Sequence, residues 1–232
     1  MSKTDQSAEI LKDFSTCEIS DAIVKLGDRT GGLIPNLEIY SPNPSAESTQ
    51  QMRIAGPAYT VELVSKDLSI DDYPVPAQHF ADSIVRGSVV VVQGRRDIEA
   101  AVWGGLMTAR AQSRGAIGLI VSGRVRDLNE HRSAEFPVFA CGHSTLPQGA
   151  AMRPYKIQEV LNDMGSISTK HSVSVRPRDI IVADIDGVVV IPLDKLEKVA
   201  ELCEKIRSAD TRCMADLKAG YGVQETFKKH RG

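Results

Sequence analysis

Two stretches decide the fold: Ser88-Val89-Val90-Val91-Val92-Gln93 and, after an Ala-rich segment, Ala116-Ile117-Gly118-Leu119-Ile120-Val121. Both are short, β-branched and apolar throughout, the pattern of strands buried on both faces. The residues between them, roughly Ile98 to Ser113, include Leu106, Met107 and Ala111 and read as a helix that Gly115 ends. Strand, helix, strand in this span is a βαβ unit, which requires a parallel pairing and a right-handed crossover.

Residues 8–26 read as an opening helix, with Thr16 as its cap, Ile19, Ile23 and Leu26 on one face, and Gly27 as its stop. Residues 41–51 are polar and proline-containing, hence an exposed loop. Ile54 to Val64 is a strand interrupted early by Gly56-Pro57, followed by a loop over 66–79 and a short helix over 77–85. Downstream, Phe136–Ala140 and Ser172–Val175 read as short strands. Asp179–Asp184 and Gly187–Pro192 form a pair joined by a tight Asp184-Ile185-Asp186-Gly187 turn. From Leu193 to Ala219, apolar positions Leu196, Val199, Ala200, Cys203 and Ile206 recur at helical spacing, framed by Asp194 and Gly220. The sum is a single layered α/β domain over residues 1–232, with a mixed or parallel sheet, no internal repeat and no linker.

Composition narrows the function classes. Of 232 residues, 42% are hydrophobic and 25% charged, the balance of a folded globular chain. A net charge of −2, with no basic run longer than Lys228-Lys229-His230-Arg231, argues against nucleic acid as a partner. No segment approaches the roughly 18 uninterrupted apolar residues of a membrane helix. The first residues lack the apolar centre of a secretory signal. Cys17, Cys141, Cys203 and Cys213 form no C-x-x-C pair. Isolated thiols suit a reducing compartment, so the expectation is a soluble cytoplasmic protein with no membrane partner.

Ligands of open α/β sheets gather beyond the carboxyl ends of parallel strands. The first buried strand leads towards Trp103-Gly104-Gly105-Leu106-Met107, and the second ends in Arg124-Val125-Arg126-Asp127-Leu128-Asn129-Glu130. Asp127 and Glu130 stand three apart, sharing a face of a helical turn. Two carboxylates there make a hard oxygen site for Mg²⁺ or Mn²⁺, and Arg126 presents a planar fork matched to a carboxylate. Taken alone, that arrangement describes a helix start with a surface ion pair better than it describes a site. Gly104-Gly105 is equally two-sided: glycines admit a ligand to the backbone, and they also let a helix pack closely on a sheet. There is no G-x-G-x-x-G, no P-loop and no G-x-S-x-G elbow. His79, His131, His143, His171 and His230 are scattered without metal-pair spacing. Asp184 and Asp186 read as turn chemistry, and Trp103 as core.

The stretch from Trp103 to Glu130 resembles the family of 4-hydroxy-4-methyl-2-oxoglutarate aldolases and the related regulator of ribonuclease activity A proteins. Its signature is Gly or Asp, twenty residues, Arg-Asp, two residues and an acid. Here Gly105 is followed by the twenty residues Leu106 to Val125, then Arg126-Asp127, Leu128-Asn129 and Glu130. Ile19-Ser20-Asp21-Ala22, Ile54-Ala55-Gly56-Pro57-Ala58 and Val182 to Val190 resemble further family segments.

The resemblance implies a fold similar to a swivelling phosphohistidine domain and a homotrimer or dimer of trimers with sites between subunits. It implies a lyase that uses a divalent metal, Mg or Mn, to cleave small 2-oxo dicarboxylic acids. Asp127 binds the metal, Arg126 the substrate, and the backbone of Gly104, Gly105, Leu106 and Met107 cradles the substrate carboxylate. Glu130 matches the acid that reaches the metal through water. Gly105 stands where other members carry Asp, which leaves open which carboxylates complete the metal shell. The expected reactions are retro-aldol cleavage of 4-hydroxy-4-methyl-2-oxoglutarate to two pyruvates and decarboxylation of oxaloacetate, both through a pyruvate enolate. A Schiff-base lysine is the rival mechanism, but no Lys lies within the buried strand runs. A non-catalytic regulator of a ribonuclease is the rival function.

Overall fold

The computed structural model describes residues 9–43, 45, 52–164 and 173–231. In chain order the first elements are α1 (Thr16–Lys25), β1 (Glu38–Ser41), β2 (Ile54–Ser65), β3 (Val89–Gln93), β4 (Ala101–Trp103), α2 (Gly105–Arg114) and β5 (Gly118–Val125). They continue with α3 (Leu128–Ser133), β6 (Val138–His143), β7 (Met152–Ile157), β8 (Ile180–Asp184), β9 (Gly187–Ile191), α4 (Leu196–Lys218) and α5 (Val223–His230).

The βαβ reading holds. β3 and β5 are adjacent and parallel, from Val89 opposite Gly118 to Gln93 opposite Ser122. Val90 and Val92 face one apolar cluster with Tyr59, Phe80, Trp103 and Ala111. Val89 and Val91 face another with Ile120, Phe139 and Ile181. A strand committed on both faces has no polar alternation to show, which explains the unbroken valine run. Gly115 ends α2 in the left-handed region at φ 84°, where a Cβ is penalised.

The sheet is mixed, in the order β1-β6-β5-β3-β2-β8-β9, with β4 on β5 and β7 on β2. Its centre, β6-β5-β3-β2, is parallel, and β1, β7, β8 and β9 pair antiparallel. A third cluster packs Ile19 and Ile23 of α1 and Val199 and Cys203 of α4 against Val182 and Val189 of the β8–β9 hairpin. No helix among the described residues is long and apolar enough to cross a membrane.

Gly56-Pro57 does not interrupt β2. Residues Ile54–Pro57 pair with β8, and the strand then takes β3 on one edge and β7 on the other. A Cβ on Gly56 would stand 2.7 Å from the Gly87 carbonyl oxygen, so glycine serves close packing there. Residues 98–103 are not helical. Ala101, Val102 and Trp103 are buried as β4, and the extended Gly104 (φ −142°, ψ −176°) delays the helix start to Gly105. The expected short helix over 77–85 is only a 3-10 turn, Phe80–Asp82. Of the expected strand at 172–175, Ser172 lies outside the described residues and Val175 makes only an isolated bridge to Leu161. The loop at 41–51 falls largely outside them, as does His171.

The opening helix is capped by Ser15 rather than Thr16. Ser15 accepts the Glu18 amide, and Glu18 accepts the Ser15 amide at 2.7 Å, a complete capping box. Thr16 instead donates its amide and hydroxyl to Asp184 at 2.9 and 2.6 Å. Asp184 also accepts the Asp186 amide at 3.1 Å, so this carboxylate docks α1 onto the β8–β9 turn. The C-terminal basic run folds back as α5, where Lys229 and His230 reach Asp216 and Arg231 reaches Asp210.

Candidate functional site

At the end of β5 the chain turns through Arg126 and Asp127 into α3. The Arg126 amide donates to the Trp103 carbonyl at 2.9 Å, tying the ends of β5 and β4 together. Asp127 occupies the left-handed region (φ 60°, ψ 45°), uncommon outside glycine and best tolerated by Asn and Asp. Its Oδ2 accepts the Gly105 amide at 3.0 Å and lies 3.4 Å from Arg126 Nε. Neither bond uses Oδ1. Both side chains remain about a third exposed, Arg126 at 38% and Asp127 at 32%.

The glycine pair now has a geometric reason. A Cβ on Gly104 would stand 2.5 Å from Asp127 Oδ2 and 3.1 Å from Arg126 Nε. A Cβ on Gly105 would stand 1.5 Å from Glu130 Oε2. The Glu130 carboxylate therefore fills the space a side chain at 105 would need. The Met107 and Thr108 amides both turn back to the Gly104 carbonyl. First-turn amides of α2 such as that of Leu106 have no intrahelical acceptor, and they mark the positive end of the helix dipole.

Gly104, Leu106, Met107, Arg126 and Asp127 line one pocket of about 200 Å³, together with Trp103, His79 and Gln148. Leu106 stands at 78% exposure beside it. Gly105 and Glu130 do not line this pocket; they pack against each other next to it. A larger pocket of about 660 Å³ is lined by residues of α1, α4 and α5, but Arg231 and His230 there are already paired with Asp210 and Asp216. Size does not decide between them; the convergence of an arginine, a carboxylate and helix amides favours the smaller one.

Behind the pocket runs a buried polar chain. Trp103 Nε1 donates to Thr108 Oγ1 at 2.9 Å, and Thr108 Oγ1 lies 3.0 Å from His131 Nδ1. Burial lowers the His131 pKa, against the opposing pull of the Arg126 carbonyl and the Asp127 charge, so the ring is neutral. Scattered histidines carry no periodic signal in sequence, and neither His131 nor His79 was separable there from the other three.

A metal at Asp127 is compatible with this donor set. Mg²⁺ and Mn²⁺ favour hard oxygen ligands, and Mg²⁺ keeps several waters while bound through one or two carboxylates. Asp127 offers Oδ1 in a solvent-open pocket. Among the described residues no three His, Cys, Asp or Glu side chains converge to form an all-protein cage, so any cation here would be held largely by water and substrate oxygens.

Comparison with known proteins supplies the family. Residues 16–190 match the RraA-like family (Aldolase/RraA). The chain is 31% identical over 226 residues to protein DlpA of Legionella pneumophila, covering 96% of this chain but spanning only about a third (34%) of that protein. It is 31% identical over 200 residues to a Halalkalibacterium halodurans protein named "Putative 4-hydroxy-4-methyl-2-oxoglutarate aldolase", covering 84% of this chain and 80% of the relative. Among solved structures, RraAS2 of Streptomyces coelicolor, described as an unusual member of the RNase ES inhibitor RraA protein family, superposes with TM-score 0.71 at 19% identity, covering 93% and 96% of the two chains. A Pseudomonas syringae protein superposes with TM-score 0.74 at 22% identity, covering 96% of each; at these identities the likeness concerns the fold. With the family match spanning most of its length, and with its α/β sheet shared by these structures, the chain belongs to the RraA-like family.

Proposed function

We propose that the protein is a divalent-metal-dependent carbon–carbon lyase acting on small 2-oxo dicarboxylic acids. The observation that carries this reading is the Arg126–Asp127–Gly105 arrangement, in which one carboxylate is fixed by a helix-start amide beside a guanidinium in an open pocket. The relatives named as 4-hydroxy-4-methyl-2-oxoglutarate aldolases support the same reading.

In this reading Arg126 binds the carboxylate next to the 2-oxo group through its planar fork. The first-turn amide at Leu106 and the positive end of α2 face the same oxygens, with the backbone at Met107 completing the cradle. As the bond to the departing carbon breaks, its electron pair moves towards the 2-oxo oxygen to give a pyruvate enolate, which then takes up a proton at carbon. Fixed positive potential from Arg126 and the α2 amides stabilises that charge, more so as water is excluded. Asp127, with Glu130 through water, would hold Mg²⁺ or Mn²⁺. The cation would supply Lewis-acid stabilisation of the same charge. Oxaloacetate loses CO₂ to give this enolate; 4-hydroxy-4-methyl-2-oxoglutarate gives up its 4-hydroxyl proton to water in the open pocket as the C3–C4 bond breaks, which yields one pyruvate directly and the second by protonation of the same enolate. The homotrimer or dimer of trimers belongs to this reading as well, with a neighbouring copy covering the exposed Leu106.

Pyruvate release from both substrates, followed with and without a chelator and after restoring Mg²⁺ or Mn²⁺, tests the proposal. Metal-dependent release is the expected result. Absence of release with either metal would leave the non-catalytic reading, a regulator of a ribonuclease, in its place. A lysine adduct trapped by borohydride in the presence of substrate would replace the metal scheme with Schiff-base chemistry.

A further inference from the structure

His79 stands on the wall of the Arg126–Asp127 pocket, outside the signature and on the loop that precedes β3. Its ring is held on two sides. Nδ1 accepts the Ala81 amide at 3.2 Å, capping the Phe80–Asp82 turn. The ring also stacks on Phe80 at 4.5 Å between centroids, and Phe80 lies 5.9 Å from Trp103. The turn is anchored to β2, because the Tyr59 hydroxyl donates to the Phe80 carbonyl at 2.9 Å. His79 itself is exposed, so it is positioned without being buried.

The hydrogen bond at Nδ1 settles what the other nitrogen can do. A neutral imidazole whose Nδ1 accepts a backbone N–H carries its proton on Nε2. Nε2 is therefore a donor and has no lone pair with which to act as a base. A positioned Nε2 donor beside a site that already holds an arginine and a carboxylate suits a second anionic group on the ligand.

We propose that His79 sets substrate specificity by donating its Nε2 proton in a hydrogen bond to the far carboxylate of a 2-oxo dicarboxylic acid whose 2-oxo end lies on Arg126 and the α2 amides. The inference rests on the lyase reading and adds to it a way of separating the two reactions. In retro-aldol cleavage the far carboxylate remains a carboxylate throughout, so the hydrogen bond holds ground state and transition state alike and appears in KM. In decarboxylation that carboxylate leaves as CO₂ and loses its charge, so a donor there stabilises the starting state more than the transition state and contributes nothing to rate.

His79→Asn tests this. Asparagine is a good cap and can still accept the Ala81 amide, while the Nε2 donor is lost. For 4-hydroxy-4-methyl-2-oxoglutarate the expected result is a KM raised by about tenfold or more with kcat within about threefold, the scale of one hydrogen bond to a charged group. For oxaloacetate, kcat/KM stays within about threefold of the parent or rises. Calorimetry gives a readout independent of turnover: 2-oxoglutarate binding weakens by about tenfold, and 2-oxobutanoate, which lacks the far carboxylate, binds as before. Parallel weakening of both ligands, or of neither, overturns the assignment of His79 while leaving the lyase reading intact. If the unmodified protein binds neither ligand and releases no pyruvate, the lyase reading fails and this inference falls with it.

Discussion

Replacing Gly104 by alanine isolates the geometry on which the site depends. Gly104 is extended (φ −142°, ψ −176°), a conformation open to any residue, so alanine introduces no backbone strain. The whole effect comes from the added methyl, 2.5 Å from Asp127 Oδ2 and 3.1 Å from Arg126 Nε. To reach ordinary contact distance the Asp127 carboxylate must retreat by on the order of 1 Å. That movement breaks its 3.0 Å bond from the Gly105 amide. A hydrogen bond to a charged group contributes about 1.5–3 kcal/mol. Asp127 is about a third exposed, so water replaces part of it, and a loss of about 1 kcal/mol is the working value. In a chain of this size that lowers Tm by roughly 2–4 °C. Catalysis is more sensitive to position, and a displacement of about 1 Å reduces turnover by on the order of 10²-fold. Differential scanning fluorimetry and a lactate-dehydrogenase-coupled pyruvate assay measure the two effects. Gly222→Ala is the control, since a Cβ there meets nothing within 4 Å. Activity of Gly104→Ala within about threefold of the parent, alongside the small Tm shift, would mean that turnover does not depend on where the Asp127 carboxylate sits. A Tm loss beyond about 10 °C would instead make Gly104 a fold-packing residue.

Two further expectations concern the scaffold. Burial opposes ionisation of Glu18, but the Arg207 guanidinium and the Ser15 amide outweigh it and hold the pKa below the usual value. A carboxylate whose folded pKa is depressed contributes stability above its unfolded pKa and loses it as pH falls through the folded value. Glu18→Gln is therefore expected to lower stability by about 1 kcal/mol at pH 7, with the gap closing below about pH 4; a gap that is constant across pH would contradict this. Cys203 is buried, and burial pushes its pKa up to about 12, so it remains a thiol at pH 8. Thiol titration of the native protein should modify Cys17 and Cys141, with Cys203 and Cys213 reacting only after unfolding; rapid labelling of Cys203 in the native protein would contradict the packing of α4 on α1.

The elements legible in sequence were those whose patterns are local. Valine runs buried on both faces, the αL glycine at 115 and the framed helix from Leu196 all declare themselves within a few residues. β4 did not, because three residues between an Ile-Glu-Ala stretch and a helix are strand only through pairing with β5. β2 was misread at Gly56-Pro57, because its change of partner from β8 to β3 and β7 is a property of the sheet. The same division holds at the site. The spacing from Gly105 to Arg126-Asp127 could be read directly. That Gly105 is small because Glu130 fills its space, and that His79 joins the pocket from a distant loop, depends on contacts between segments far apart in the chain.

In the proposed lyase, Asp127 holds the divalent cation. Asp127→Asn tests it most directly. Asparagine tolerates the left-handed backbone and its carbonyl can still accept the Gly105 amide, so the fold should survive while the charge is lost. Oxaloacetate-dependent pyruvate release in Mg²⁺ is expected to fall by on the order of 10²-fold or more at nearly unchanged Tm. Full, chelator-sensitive activity in this variant would contradict it.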